Sequence, residues 1–213
     1  MQQPRYQRIV DYYERHLTEH GTSHKGVAWP KADDVDLRNQ VMFNICGAHA
    51  NRLSILDLGC GFGLFADYLR ATNRLAAIDY FGIDLSRQMV EEACRRHPDL
   101  RFEARDVLVA PLVERSFDYV IMNGLLTVKA SLSQAEMEEF ATAMIQAAFQ
   151  SARHGLAFNV MSEHVDWKRE DLFHWPFDQA ASFLKRACSR HVVFRADYGL
   201  YEYTVYVYRE PNR

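Results

Sequence analysis

The chain is poor in cysteine, and what little there is excludes two architectures. Cys46, Cys60, Cys94 and Cys188 are widely scattered, with no C-x-x-C pair, so neither a zinc site nor a disulfide framework is encoded, and no metal is expected. A reducing, cytoplasmic setting follows as the expectation. Clusters of lysine and arginine are missing too. With a formal charge of −3 and no basic stripe, the chain lacks the electrostatic footprint of a nucleic-acid binder. No stretch is long and apolar enough to span a bilayer, and the opening MQQPRYQRIVDYYERH has no apolar core of signal-peptide length. Internal repeats and low-complexity tracts are also missing.

What is present is the balance of a globular protein. Hydrophobic residues make up 48% and charged residues 25% of 213 positions, enough for one domain with a sizeable core. Its organising stretch is Ser54 to Leu64, SILDLGCGFGL. Residues 54–58 form an apolar run with one acid, which predicts a buried parallel strand stopped by glycine. Gly59, Gly61 and Gly63 fall at alternate positions, and LFADYLR follows with helical spacing. Strand, glycine turn and helix make a ligand-binding corner, because glycine permits dihedrals that a Cβ forbids and the helix start offers free N–H groups. A dinucleotide fingerprint, G-x-G-x-x-G, would put its third glycine at position 64, which is Leu64.

The D-x-G-x-G-x-G pattern on Asp57, Gly59, Gly61 and Gly63 instead resembles the first motif of the class I S-adenosylmethionine (SAM)-dependent methyltransferases. More diffuse likenesses to small bacterial methyltransferases lie in HGTSHKGVAWP and in RADYGLYEYTVYVYR. The resemblance implies a Rossmann-like α/β fold. Its sheet would be seven-stranded and mostly parallel, with an antiparallel C-terminal hairpin, helices on both faces and two extra N-terminal helices. It implies one domain over 1–213, with residues 1–50 as a helical lid and 51–213 as the cofactor-binding core.

The chain in order agrees with an alternating α/β plan. Tyr6, Ile9, Val10, Tyr13 and Leu17 recur at helical spacing, with Gly21 as a stop. A loop carrying Trp29 leads to a second helix, capped by Asp33 or Asp34, with Leu37, Val41 and Ile45 on one face. Strands are predicted at 80–84, 100–104, 117–122 and 155–160. Between them lie a helix capped by Ser86 that buries Met89, Val90, Ala93 and Cys94, and a long helix opened by the Ser133/Glu136 capping box. After a helix over 177–189, strands at 191–197 and 203–208 are joined too closely for a crossover and predict an antiparallel pair.

Asp84, ending the second predicted strand, is placed to accept hydrogen bonds from both ribose hydroxyls of a nucleoside, as an acid does in nucleotide-binding sheets. By the resemblance, Asp57 faces the methionine end of SAM, with Cys60 inside the glycine turn. Asp106 meets the adenine amino group beside the Val107 N–H, Leu85 and Met89 contact the ring, and Asn123 lies near the methionine amine. Asn123-Gly124-Leu125-Leu126 departs from the N/D-P-P-Y signature of enzymes that methylate base or glutamine amines. Arg38, a lone helix cation, is a candidate for the cofactor carboxylate. The 161–175 connection, MSEHVDWKREDLFHW, is long enough to be functional. It supplies His164 as a candidate base, and Asp166, Trp167 and His174 as substrate candidates alongside Trp29, Tyr198 and Tyr201.

These features predict methyl transfer from SAM to a small molecule, or to a glycan or peptide precursor, leaving S-adenosylhomocysteine (SAH). No nucleic-acid or membrane partner is expected, and the oligomeric state is left open. The rivals are a SAM-binding sensor without transfer and a nucleotide-dependent oxidoreductase.

Overall fold

The structure, a computed structural model, describes residues 3–47 and 52–212. The expected boundary between lid and core, at 50/51, lies outside the described residues. The α-helices are α1 (Gln7–His20), α2 (Asp33–Phe43), α3 (Leu64–Ala71), α4 (Arg87–Arg96), α5 (Gln134–Ser151) and α6 (Phe177–Ala187). The strands are β1 (Leu53–Leu58), β2 (Ile78–Asp84), β3 (Arg101–Ala104), β4 (Phe117–Met122), β5 (Ala152–Met161), β6 (His191–Arg195) and β7 (Glu202–Tyr208).

The strands form one sheet in the order β3-β2-β1-β4-β5-β7-β6. Strands β1 to β5 pair in parallel. β7 enters between β5 and β6 and runs antiparallel to both. The sheet is therefore mostly parallel and closed by a hairpin, with its last strand inside and β6 at the edge.

Alternation along the strands sorts the core into two layers. Leu56, Leu58, Val120, Met122, Leu156 and Phe158 face α5 and α6. Ile55, Tyr119, Ile121, Ala157 and Tyr206 face α3 and the end of α2. β7 reads EYTVYVY and is buried at every position, as a strand covered on both faces must be.

Helix ends follow local chemistry. Gly21 stops α1 with φ +61°, Ser86 caps α4 by accepting from the Met89 N–H at 3.1 Å, and Ser133 and Glu136 form the capping box of α5. Three local expectations are corrected. α2 begins at Asp33 with Ala32 at its cap, so Asp33 and Asp34 sit in the first turn, where carboxylates favour the positive end of the helix dipole without capping it. Ile45 lies beyond the helix in the short 3-10 turn Asn44–Cys46. Cys94 is exposed, not part of the buried face of α4. No described helix is long and apolar enough to cross a membrane.

Candidate functional site

Parallel strands bring their C-terminal ends to one edge, and the segments leaving β1, β2, β3 and β4 there wall a single cavity. Glycines shape the first wall. Gly59, Gly61 and Gly63 have φ of +80°, +53° and +90°, a region that costs any residue with a Cβ. The turn leans back on β2: the Gly59 and Cys60 N–H groups donate to the Ile83 carbonyl at 2.7 and 3.1 Å. Gly59, Cys60 and Gly61 line the cavity, whereas Gly63 does not. A Cβ on Gly63 would stand 2.8 Å from Cδ2 of buried His97, so the third glycine serves packing behind the turn.

Three carboxylates close the ends of β1, β2 and β3. Asp57 is 2% exposed; its Oδ2 accepts from the Tyr80 hydroxyl at 2.7 Å. Burial pushes its pKa up to about 7. Asp84 accepts the Gly61 N–H on Oδ2 at 2.9 Å and the Ser86 N–H on Oδ1 at 2.8 Å. Burial raises its pKa against the pull of those backbone donors. Asp106 accepts the Leu108 N–H at 3.0 Å and the Tyr6 hydroxyl at 2.7 Å. Burial and the neighbouring carboxylate push the Tyr6 phenol up to about 12. Such a set suits a ligand with cationic groups and sugar hydroxyls.

Apolar residues complete the enclosure. Leu85, Met89 and Val107 line it beside the carboxylates, and Phe140 and Met144 reach it from α5. The roof is α1 with its N-cap Tyr6; Tyr6, Ile9, Val10 and Tyr13 all face the cavity. One helix is tied to three strand ends: Tyr6 to Asp106, Glu14 to the Ser86 hydroxyl at 2.7 Å, and Tyr13 to the Gly124 carbonyl at 3.2 Å. The i, i+3, i+4, i+7 spacing of the roof residues is legible in the sequence as an amphipathic face, but not as a cavity wall. Glu14 gives no sequence signal.

On the remaining side, Trp29 and Val27 come from the loop after α1, Asn39 from α2, and Asn123 and Gly124 from the end of β4. The Asn123 Nδ2 donates to Asn39 Oδ1 at 2.8 Å. Of the predicted residues, the structure thus brings together Asp57, Gly59, Cys60, Gly61, Asp84, Leu85, Met89, Asp106, Val107, Asn123 and Trp29.

The others lie elsewhere. Arg38 is not in the cavity wall: its Nε donates to Glu202 at 3.0 Å and its guanidinium lies 5.0 Å from the centre of the Trp29 ring. With a buried carboxylate already beside it, it is not the free cation that the sequence suggests. The 161–175 segment folds away because its own aromatic residues sink into the core. Phe173 and Trp175 are fully buried, the Trp175 N–H returns to the Met161 carbonyl at 3.1 Å, and the Ser162 N–H pairs with the Tyr201 carbonyl at 3.0 Å. His164 is therefore exposed and stacked on Phe177. Asp166 is solvent-facing, and Trp167 pairs with Tyr201 on the surface. His174 is buried with Nδ1 at 2.6 Å from the Ser162 carbonyl. Tyr198 bonds Thr204 at 2.9 Å.

Comparison with known proteins gives this arrangement its chemistry. A family model described as a methyltransferase domain matches residues 55–147, from β1 into α5. Rv1506c of Mycobacterium tuberculosis, named a putative methyltransferase, is 36% identical over 165 residues, covering 74% of this chain and 94% of that protein. Among solved structures, magnesium protoporphyrin IX methyltransferase from Synechocystis with bound SAH superposes with a TM-score of 0.66 at 15% identity, covering 97% of this chain and 98% of the other. A TehB-like SAM-dependent methyltransferase from Corynebacterium glutamicum does so with a TM-score of 0.55 at 15% identity, covering 98% and 100%. At those identities the structures establish the fold, and the mycobacterial relative establishes the kinship. The chain belongs to the class I SAM-dependent methyltransferases.

Proposed function

We propose that the cavity at the strand ends holds SAM in one orientation and delivers its methyl group to a small-molecule acceptor. In this reading Asp84 accepts the ribose hydroxyls, and Asp106 and the Val107 N–H face the adenine edge between Leu85 and Met89. Asp57 and Asn123 face the amino-acid end, beside the bare backbone of Gly59 to Gly61. The observation that carries it is the convergence of Asp57, Asp84 and Asp106 on one enclosed space with the glycine turn. A sulfonium and an ammonium are both stabilised there, and no pyrophosphate-type cradle is needed. Positive sulfur already activates the methyl group, so the protein's work is to align the acceptor in line and exclude water. Trp29 and Tyr13 flank the Gly124 end of the cavity and are the candidates for contact with the acceptor. The four free cysteines suit a reducing, cytoplasmic setting.

The test has two arms. Calorimetry with SAH should show binding by the wild-type protein. Incubation with methyl-labelled SAM and a fractionated cell extract should then place label in the small-molecule fraction. Label confined to protein or nucleic acid would overturn the acceptor class, and binding without any transfer would favour the sensor.

Asp57 makes the binding pH-dependent. Its folded pKa, about 7, lies above the value of roughly 4 in an unfolded chain. Between those limits the empty folded protein holds a proton that the unfolded chain has lost. Stability of the empty protein should therefore fall as pH rises from about 4 to about 7. An ammonium facing Asp57 needs the carboxylate, so SAH should bind with release of a proton below about pH 7 and more tightly as pH approaches it. Calorimetry at pH 6.5 in two buffers of different ionisation enthalpy reads the released proton directly. Asp57→Asn should abolish that difference between buffers, and an equal release from the variant would remove Asp57 from the site.

A further inference from the structure

We infer that Asn159, Glu202 and Arg38 are positioning residues for methyl transfer: with Gly124 and Trp29 they close a ring that fixes the wall of the cavity where the acceptor meets the cofactor. The inference rests on the reading of this cavity as the SAM site.

The ring is continuous through five elements. The Gly124 N–H, just past β4, donates to Asn159 Oδ1 at 2.7 Å. The Asn159 Nδ2 donates to Glu202 Oε1 at 2.8 Å, crossing from β5 to β7. Glu202 Oε2 accepts from Arg38 Nε at 3.0 Å, crossing to α2. The Arg38 guanidinium lies over Trp29 at 5.0 Å. Trp29 returns to the start, since a Cβ on Gly124 would stand 3.2 Å from its indole Cζ2. Only the two ends of this ring, Trp29 and Gly124, line the cavity.

Each intermediate member has a chemistry that its isostere lacks. Asn159 is fully buried and must accept from a backbone N–H on one side while donating to a carboxylate on the other, which a carboxamide does and a carboxylate cannot. Its Nδ2 also reaches Asn123 Oδ1 at 3.3 Å, so one amide grips both residues at the end of β4. Glu202, 3% exposed, accepts on both oxygens, and a glutamine there would turn an N–H toward one of two donors. Arg38 is 9% exposed and its Nη1 is buried without a hydrogen-bond partner, the nearest carboxylate oxygen of Asp34 being 3.9 Å away. Its orientation therefore rests on Glu202 and on stacking with Trp29. An apolar set would fill the same space with less desolvation. What the polar set adds is direction: it fixes the Gly124 peptide, whose φ is +82°, and the plane of the indole beside it.

The experiment labels the full-length protein with 5-fluorotryptophan, which reports Trp29, Trp167 and Trp175 as separate fluorine resonances, Trp29 being assigned from Trp29→Phe. Asn159→Asp, Glu202→Gln and Arg38→Lys should each move or broaden the Trp29 resonance in the ligand-free protein while leaving Trp167 in place. Each should weaken SAH binding about tenfold by calorimetry. Leu184→Ala, a fully buried position on α6, is the stability control: it should lower the melting temperature at least as much, yet leave the Trp29 resonance unmoved and SAH affinity within about twofold. The inference is overturned if the folded ring variants leave Trp29 where it was, or if Leu184→Ala moves it equally. If Asn159→Asp does not fold, the other two variants decide. Failure of the wild-type protein to bind SAH would instead sink the reading of the cavity, while the ligand-free fluorine spectra would still judge the ring.

Discussion

Asp84→Ala should weaken SAH binding by about a hundredfold or more, the largest effect on affinity expected from any single change in the cavity. Hydrogen bonds to a charged group contribute about 1.5–3 kcal/mol each, and the proposed binding mode gives this carboxylate two ribose hydroxyls, so on the order of 3–6 kcal/mol is lost, at about 1.4 kcal/mol per tenfold. A second cost lies in the protein itself. Asp84 accepts the Gly61 N–H at 2.9 Å and the Ser86 N–H at 2.8 Å, so it also holds the glycine turn against the start of α4. Alanine releases the turn and orphans both donors. Asp84→Asn keeps one acceptor oxygen and should lose less, and the gap between the two variants measures how much the charge contributes. Calorimetry of both, with melting temperature measured in parallel, separates loss of ligand from loss of turn. Affinity within threefold of wild type for Asp84→Ala would remove the ribose assignment.

Gly63→Ala should lower stability by about 2–5 kcal/mol without altering any cavity-lining atom. Two terms add. The residue has φ +90°, which costs an L-residue roughly 1–2 kcal/mol. Its new Cβ would also lie 2.8 and 2.9 Å from Cδ2 and Nε2 of His97, a ring 3% exposed with nowhere to retreat, and overpacking of this kind costs roughly 1–3 kcal/mol. The two terms can be separated. His97→Ala removes the clash but not the dihedral strain, so in denaturant melts Gly63→Ala should cost about 1–2 kcal/mol in the His97→Ala background. An unchanged cost there would mean that the ring is not the obstacle.

The contrast between Gly61 and Gly63 shows how far sequence alone reaches. Local pattern located the turn, because strand, alternate glycines and helix lie within a dozen residues, and the acids at the ends of β1, β2 and β3 follow from counting strands. It could not say that Gly61 faces the cavity and Gly63 a histidine, since His97 arrives from the far end of α4. Strand existence is legible from apolar runs, but β5 starts earlier than its apolar run because Ala152 already pairs with Phe117, the exposed Arg153 and His154 falling in the irregularity before Gly155 pairs with Tyr119. The insertion of β7 inside β6 depends on long-range pairing that no local pattern encodes. Arg38 and the 161–175 segment lie away from the cavity wall for a reason no local pattern shows: charge, histidine and tryptophan look alike in a sequence whether they face a ligand or anchor a loop. The signals for Asn159 and Glu202 were present and quiet, a lone carboxamide in AFNVM and a lone carboxylate opening YTVYVY. A buried polar residue in an apolar strand needs a partner, and here those partners lie on other elements.

The fastening of α1 bears on turnover. The contacts of Tyr6, Tyr13 and Glu14 with the strand ends are spread along about two turns, with Ile9 and Val10 buried between them. Because these anchors sit on one continuous segment, loosening one loads the others. Under the proposed function, the departure of spent cofactor then depends on residues 6–14, of which Tyr6, Ile9, Val10 and Tyr13 line that face of the cavity, as well as on the strand ends.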